Sequence, residues 1–460
     1  MQTKKKFDVC IIGAGVAGGT MAAYLGKNGL SVAVVEKNMA EQDRIIGELL
    51  QPGGVIKLKE MGLEHLLHGF DAQEVKGYGL FMNGDCFQIE YPKDKGKAVT
   101  GRGFRNGKFV QKIREYILSL PGVTVFEGSV TELIEENGRV SGVKYSRKQD
   151  DENHVIEAKL TVVCDGMFST FREKLSVGEK KVSSYFLGMI LKNCDLPFKG
   201  HGHVIVARPS PCLVYPVSST DTRLLIDFPG TEAPRKSPEL LHYLKSTIAS
   251  QMPPGILPSF LAAVDEGKFK VMPNHLIPAK PILKAGVVMI GDSLNMRHPL
   301  TGGGMTAAFT DIKDIGTRFF ALPDFENIAA IDESVQLFYR SRHKQNATIN
   351  ILADALYGVM QNEDLSVACY DYLKRGGTYA TEPVSILSAV SRNVQMLLTH
   401  FFAVAFYGVG SILKPFPTIA KLKRSYKMMG SAVRIVSPLV MNERPGFFIR
   451  SAFRIAGIMF

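Results

Sequence analysis

The chain has 460 residues, 45% of them hydrophobic and 22% charged; these are globular proportions, and the length predicts two or three domains with sizeable cores. A net charge of +11 could suggest nucleic acid, but ten Lys or Arg face the single acid Glu443 between Ser391 and Phe460, so the excess belongs to an apolar C-terminal segment that suits an anionic membrane surface better than a DNA groove. Six scattered cysteines without metal spacing or a disulfide framework point to reduced thiols in a cytosol-facing protein and to no metal site.

Lys4, Lys5 and Lys6 run directly into the first strand, without the apolar core of a secretory signal. Val9 to Ile12 read as that strand, and Ala17 to Leu25 as a helix. Between them Gly13, Gly15 and Gly18 fit G-x-G-x-x-G in the strand-to-helix context that gives the motif meaning. The first glycine permits the tight turn, the second lets the backbone approach a pyrophosphate, and the third lets helix and strand pack closely. Val16 and Ala17 stand at the helix start, whose free N–H groups face the phosphates. A second strand from Leu30 to Val35 ends on Glu36, where a carboxylate can accept ribose hydroxyls; an acid there favours FAD or NAD over NADP.

Arg44 lies in a polar loop and Val55 to Leu67 looks helical. Tyr78 to Tyr91 alternates apolar and polar residues and reads as strands of a different sheet. An amphipathic helix begins near Lys108, and strands follow at Val123 to Phe126, Val130 to Glu135 and Val140 to Tyr145. Leu160 to Cys164 is a buried-type strand ending in Asp165-Gly166, with Arg172 seven residues further on. Tyr185 to Phe228 suits an antiparallel sheet. Pro238 to Gln251 reads as a helix capped by Ser237, and MPPGILPSF as a loop. Gly286 to Ile290 is a further strand running into Gly291-Asp292. The glycine run Gly302 to Gly304 then opens a helix at Met305, and helix dominates from there. Val394 to Leu413 carries no formal charge and is long enough to cross a bilayer, though polar residues dilute it. Met428 to Phe460, with Arg434, Arg444, Arg450 and Arg454, cannot span. Helices embedded in one leaflet are expected before a span or a buried bundle.

The turns at Gly13, Asp165 and Asp292 are three nucleotide-type strand ends in one order, and FAD explains all three. That order resembles the FAD-dependent monooxygenases of the aromatic-hydroxylase superfamily. Within it, GELLQPGG (Gly47 to Gly54) and NMRHPLTGGGMT (Asn295 to Thr306) resemble the squalene epoxidases. Asn295 and Thr306 stand where the hydroxylases usually show His and Asn, a departure toward the epoxidase pattern. The resemblance runs from Phe7 to about Tyr426.

It implies an α/β fold: a Rossmann-type FAD-binding domain (1–60, 100–178 and 280–332), an antiparallel-sheet substrate domain (61–99 and 179–279), and a C-terminal helical membrane-associated region (333–460). Carried over by position, the FAD contacts are Gly13, Gly15, Val16, Ala17, Gly18, Glu36, Lys37, Arg44, Arg114, Ser129, Asp292, Gly304 and Met305. Arg44 and Arg114 would each present a guanidinium fork to phosphate. Tyr78 and Tyr215 match tyrosines of the family's substrate channel, with Gln51 able to hydrogen-bond Tyr78 beside the flavin. Leu213, Phe186 and Pro299 are further pocket candidates. His298 carries little weight as a base, because oxygen transfer to an alkene needs none.

The implied reaction converts squalene to (S)-2,3-oxidosqualene with O2, an early step of sterol biosynthesis. No second dinucleotide fingerprint is present, so NADPH would supply electrons indirectly, through a cytochrome P450 reductase. The family's N-terminal membrane segment has no counterpart here, so a monotopic attachment to the endoplasmic reticulum in a eukaryote would rest on the C-terminal helices. A related flavoprotein hydroxylase, an isoprenoid reductase and a non-redox lipid-binding protein on the same fold stay open as alternatives.

Overall fold

The structure, a computed structural model, describes residues 6–147 and 153–443. The stretch expected from Met428 to Phe460 is therefore described only to Glu443, within a helix Ile419–Glu443; Arg444, Arg450 and Arg454 lie outside the described residues.

A parallel sheet forms the nucleotide half. Its order is Val123–Glu127, Val32–Glu36, Phe7–Ile12, Asn153–Val163 and Val287–Met289. These strands are rich in Val, Ile and Ala because helices and the hairpin Ser129–Glu136 with Arg139–Ser146 pack against the sheet, Tyr145 meeting Phe126 at 5.8 Å between ring centroids, and leave little polar side. Asn153–Val163 is longer than the strand expected from Leu160. Its last residues pair in parallel with Val287–Met289, and its first pair antiparallel with Arg139–Ser146, which continues to Ser129–Glu136. One strand thus joins a parallel sheet to a hairpin. The helices Val16–Lys27, Asn106–Ser119 and Gly304–Phe320 pack around the same core.

The second sheet has seven strands, ordered Phe269–Leu276, Lys181–Lys192, Asp221–Pro229, Cys212–Pro216, His201–Ile205, Gly77–Met82 and Asp85–Glu90. Expected as antiparallel, it contains one parallel pair, His201–Ile205 with Gly77–Met82. Those strands come from distant parts of the chain, so no hairpin turn dictates their direction. A small sheet of Leu49–Leu50, Gly101–Gly103 and Gln73–Val75 sits between the two halves.

Local breaks explain the remaining differences. The helix expected over Val55 to Leu67 is Pro52–Glu60, followed by a short 3-10 turn Glu64–Leu67. Gly62, at φ +67°, ends it, and the Leu63 amide returns to the Leu58 carbonyl at 2.8 Å, a left-handed helix stop. Ser237 caps its helix as expected, accepting from the Leu240 amide at 3.2 Å, but regular α-helix ends at Tyr243. The loop expected at MPPGILPSF becomes a helix from Leu257, because Pro258 is tolerated in a first turn.

The C-terminal helices Ile328–Met360, Glu363–Lys374, Thr378–Leu387, Val394–Leu413 and Ile419–Glu443 pack over the second sheet and on one another. Val394–Leu413 is, among the described residues, a helix long and apolar enough to cross a membrane; about a quarter of it (28%) is buried. Its Val394, Leu397, Leu398, Val404, Ala405 and Gly408 are buried, whereas Phe406 is exposed. Phe416, Ile419, Leu422 and Tyr426 continue that exposed apolar surface.

Candidate active site

Three strand ends of the parallel sheet meet at one cleft. Gly13 has φ +96°, and a Cβ there would lie 2.8 Å from the Cys164 carbonyl oxygen, so the turn after the first strand touches the turn at Asp165. A Cβ on Gly291 would lie 3.0 Å from Ala17 Cβ, which brings in the third turn. Arg172 ties two of them together: Nε donates to the Ser293 carbonyl at 2.9 Å, and Nη2 to the carbonyls of Gly166 and Asp292 at 3.0 Å each. A guanidinium suits this work because its rigid fork reaches several acceptors at once.

The cleft fits a dinucleotide on features of its own. Gly18 is closed, since a Cβ there would meet the Gly13 carbonyl at 1.9 Å, whereas at Gly15 and Gly304 a Cβ meets nothing within 4 Å. Helices Val16–Lys27 and Gly304–Phe320 begin without a side-chain cap, which leaves their amides for an anion or a carbonyl. Asp165 Oδ1 is buried without a hydrogen-bond partner. Asp292 is exposed to the cleft at the start of a 3-10 turn; surrounding protein pushes its carboxyl upward, opposed by Arg297, Arg44 and Arg172. Met305 is buried beside Gly304.

Glu36 and Arg114 brace the glycine turn. Glu36 Oε2 accepts from the Ala14 amide at 2.7 Å, and Arg114 Nε donates to the Ala14 carbonyl at 3.0 Å. Arg114 Nη2 stands 3.5 Å from Glu36 Oε2, and Nη1 donates to the Ala40 carbonyl at 3.2 Å. The Arg114 fork expected to face phosphate is thus engaged by the turn itself. Arg44 is exposed, and its charge acts on both Arg114 and Asp292. Lys37 and Ser129 are exposed at the outer edge, where Gly128 N donates to the Glu36 carbonyl at 2.9 Å.

Behind the glycine run lies a buried hydrogen-bond node. Gln51 Nε2 donates to the Thr301 carbonyl at 2.8 Å, and its Oε1 accepts from Tyr78 at 2.9 Å and from Tyr91 at 3.0 Å. The Gln51 to Tyr78 contact expected from the sequence is present. Tyr91 was not anticipated: only pairing of its strand with Gly77–Met82 brings it to Tyr78, ring centroids 5.3 Å apart and edge-on. With both lone pairs of Oε1 occupied, the carboxamide has one orientation. Burial pushes the Tyr78 phenol up to about 12, so it is a neutral donor to Gln51 and shows oxygen lone pairs to the space beside it.

That space is apolar and has two connected parts. The larger, about 1110 Å3, lies between the second sheet and the C-terminal helices; the smaller, about 480 Å3, is lined by Gln51, Leu213, Tyr215 and Leu300. Tyr78, Val204, Leu356, Met360 and Leu387 line both. A path therefore runs from the helices past Tyr78 to the turn that carries Thr301 and Gly304. Leu213 and Tyr215 stand on its wall as expected. Phe186 and Pro299 do not: Phe186 is fully buried, edge-on to His298 with centroids 5.8 Å apart, and Pro299 begins the short turn Pro299–Thr301. Phe186 shares the apolar cluster of Tyr78, Leu213 and Tyr215 but is fully covered within it, and the neighbours that cover it, His298 among them, were not legible in sequence.

His298 is a structural residue. Its Nδ1 accepts from the Leu300 amide at 3.2 Å, its Nε2 lies 2.9 Å from Ser184 Oγ, and its ring stacks on Tyr357 at 3.7 Å. Burial lowers its pKa to about 3, so it is neutral. Sequence reasoning also missed the ion pair between Glu48 and Arg223, at 2.6 and 3.1 Å and almost fully buried. It fastens the GELLQPGG loop to the second sheet.

Comparison with known proteins agrees with this geometry. The squalene epoxidase family model matches residues 157–426, and the model of glucose inhibited division protein A matches residues 8–185. Squalene monooxygenase SE2 of Panax ginseng is 46% identical over 95% of this chain and 82% of its own length. Squalene epoxidase erg1 of Schizosaccharomyces pombe is 37% identical over 95% and 98%, and squalene monooxygenase of Mus musculus 37% over 95% and 78%. Among solved structures, p-nitrophenol 4-monooxygenase PnpA from Pseudomonas putida superposes with a TM-score of 0.68 at 17% identity, covering 86% of this chain and 99% of that one. The probable FAD-dependent monooxygenase pqsL from Pseudomonas aeruginosa gives 0.65 at 20% identity, covering 78% and 97%. A flavin-type cleft that opens through Gln51 and Tyr78 into an apolar cavity, on a chain so similar to these relatives, makes this protein a member of the squalene epoxidase family.

Proposed function

We propose that the protein epoxidises squalene to (S)-2,3-oxidosqualene with FAD and O2, an early step of sterol biosynthesis. The observation that carries this reading is the apolar two-part cavity ending on Tyr78 and Gln51 beside the Thr301 to Gly304 turn. Squalene offers no polar handle, so binding must come from apolar burial at about 25 cal/mol per Å2, and the cavity walls supply that surface.

The chain's own residues are assigned as follows. Gly13, Gly15, Val16, Ala17 and Gly18 hold the pyrophosphate at a helix N-terminus, with Arg44 adding charge. Glu36, with Lys37 and Ser129 at its edge, receives the adenosine ribose, and Asp292 a ribityl or pyrophosphate-side hydroxyl. Gly304 and Met305 receive the flavin ring, and the uncapped amides of that helix favour negative charge on it. Arg114 keeps the glycine turn in shape. Bound FAD supplies O2 activation and oxygen transfer once reduced. Tyr78, held by Gln51, sets how closely a terminal alkene approaches, and Leu213 and Tyr215 exclude water from that end.

Two finer parts belong to the same proposal. Electrons come from NADPH through a cytochrome P450 reductase, since the described cleft accounts for one dinucleotide. The exposed Phe406, Phe416, Ile419, Leu422 and Tyr426, with Lys414, Lys421, Lys423 and Lys427 nearby, support a membrane surface against the C-terminal helices. That arrangement supports monotopic attachment, on the cytosolic face of the endoplasmic reticulum in a eukaryotic cell, where squalene would pass from lipid into the cavity.

The test is steady-state turnover in detergent with FAD, NADPH, O2 and a cytochrome P450 reductase, following 2,3-oxidosqualene by mass spectrometry. Epoxide that requires the reductase supports the whole reading; flavin binding without any epoxide refutes the substrate.

A further inference from the structure

The larger cavity is walled mainly by apolar side chains, with Tyr78 and Tyr370 among them, and a polar chain of contacts stands at the end away from Gln51. Tyr372 and His400 both line it. Tyr372 Oη lies 2.8 Å from His400 Nδ1, and His400 Nε2 lies 2.7 Å from Glu382 Oε2. The three residues come from three helices, Glu363–Lys374, Val394–Leu413 and Thr378–Leu387. Tyr372 is 4% exposed, while the Glu382 side chain is 42% exposed, so the chain of contacts leads from the protein surface to the cavity wall. Neither residue belongs to the smaller space beside Gln51. A hydrocarbon substrate makes no use of such a group, and an apolar side chain at each position would fill the wall without it.

The directions of the hydrogen bonds identify what the site recognises. The Glu382 carboxylate only accepts, so His400 Nε2 carries a hydrogen toward it. In the neutral imidazole Nδ1 is then an acceptor, and Tyr372 donates its hydroxyl hydrogen there. Tyr372, a wall residue of the cavity, is left with lone pairs on its oxygen. It accepts a hydrogen bond and has none to give. We propose that Tyr372, oriented by His400 and Glu382, is a distal subsite for the hydroxyl end of a polyprenyl or triterpenoid alcohol, whose hydrocarbon end then points toward Tyr78.

This rests on the reading of the cavity as a squalene-type site, and the experiment separates the two. Direct binding is measured to the FAD-loaded full chain in lipid nanodiscs for three C30 ligands: squalene, squalene carrying one terminal hydroxyl, and 2,3-oxidosqualene. The wild type should bind the alcohol roughly tenfold more tightly than the epoxide, the worth of one neutral hydrogen bond, because an epoxide oxygen cannot donate. Tyr372→Phe should bring that ratio close to one. His400→Phe leaves the tyrosine hydrogen without its acceptor and free to turn into the cavity, where it can be given to a hydroxyl or an epoxide oxygen alike, so the ratio should again fall toward one. Ratios are read because general damage to the cavity cancels in them. Equal binding of alcohol and epoxide by the wild type, or a ratio unmoved by both variants, overturns the subsite while squalene binding keeps the cavity reading. Binding of none of the three overturns both.

Discussion

Gly15 and Gly18 belong to one motif but meet opposite constraints. A Cβ at position 18 would collide with the Gly13 carbonyl, whereas at position 15 it would enter open space. Gly18→Ala should therefore lower thermal stability in the apo protein. Gly15→Val should melt close to the wild type yet lose bound flavin, read as the absorbance of the purified protein; full flavin retention would move the pyrophosphate away from this turn. Tyr78→Phe, which removes the donor to Gln51, should lower kcat by up to about tenfold with flavin still bound. Unchanged turnover would remove Tyr78 from the site.

His298 makes a pH prediction. Its folded pKa is depressed to about 3 from an ordinary value near 6.5, so between those values the unfolded chain takes up a proton that the folded chain does not. Its contribution is present above pH 6.5 and is lost as pH falls toward 3. His203, lowered to about 4 by burial, acts in the same sense, and Asp354, raised to about 6, opposes both below pH 6. His298→Gln should flatten the decline of denaturation free energy below pH 6.5, measured by urea titration. An unaltered slope would contradict the buried neutral imidazole.

At the scale of elements, the Glu48 to Arg223 pair joins the motif loop to the substrate sheet. Glu48→Ala strands a buried guanidinium and should cost about 3–5 kcal/mol. Replacing both residues by Leu should recover much of that, and a double-mutant cycle in urea would measure the coupling. The helices at the C-terminus carry a second prediction: serine at Phe416, Ile419 and Tyr426 together should weaken sedimentation with anionic liposomes at least tenfold, given about 1.5–3 kcal/mol for each large apolar side chain buried. Equal sedimentation would place the membrane elsewhere.

The elements also show where sequence reading succeeds and stops. The Gly13 turn and the Gly302 to Gly304 helix start were legible, because glycine spacing and strand-end acids are local constraints, whereas the Gln51 to Tyr78 contact was expected only through the resemblance to the squalene epoxidases. Val394–Leu413 was legible to its ends through the absence of charge. Tyr91, Arg223 and the roof of the cavity were not, since each depends on which distant strand or helix becomes a neighbour. Phe186 illustrates the cost: its strand was found and it joins the cluster of Tyr78, Leu213 and Tyr215, but that its neighbours cover it completely depends on contacts such as that with His298.

At the scale of the whole molecule, a nucleotide cleft, an apolar cavity and a helical roof with exposed apolar side chains lie in series. In the proposed function a water-insoluble chain enters from one side while O2 chemistry is confined to the other, with Tyr78 at the junction. The most direct test omits the reductase. The flavin-loaded protein is reduced chemically without oxygen, supplied with squalene, and mixed with 18O2 in a single turnover. The account predicts up to one 2,3-oxidosqualene per flavin, with 18O in the epoxide and the second oxygen atom released as water. Reoxidised flavin with squalene untouched, or epoxide carrying oxygen from water, would contradict it.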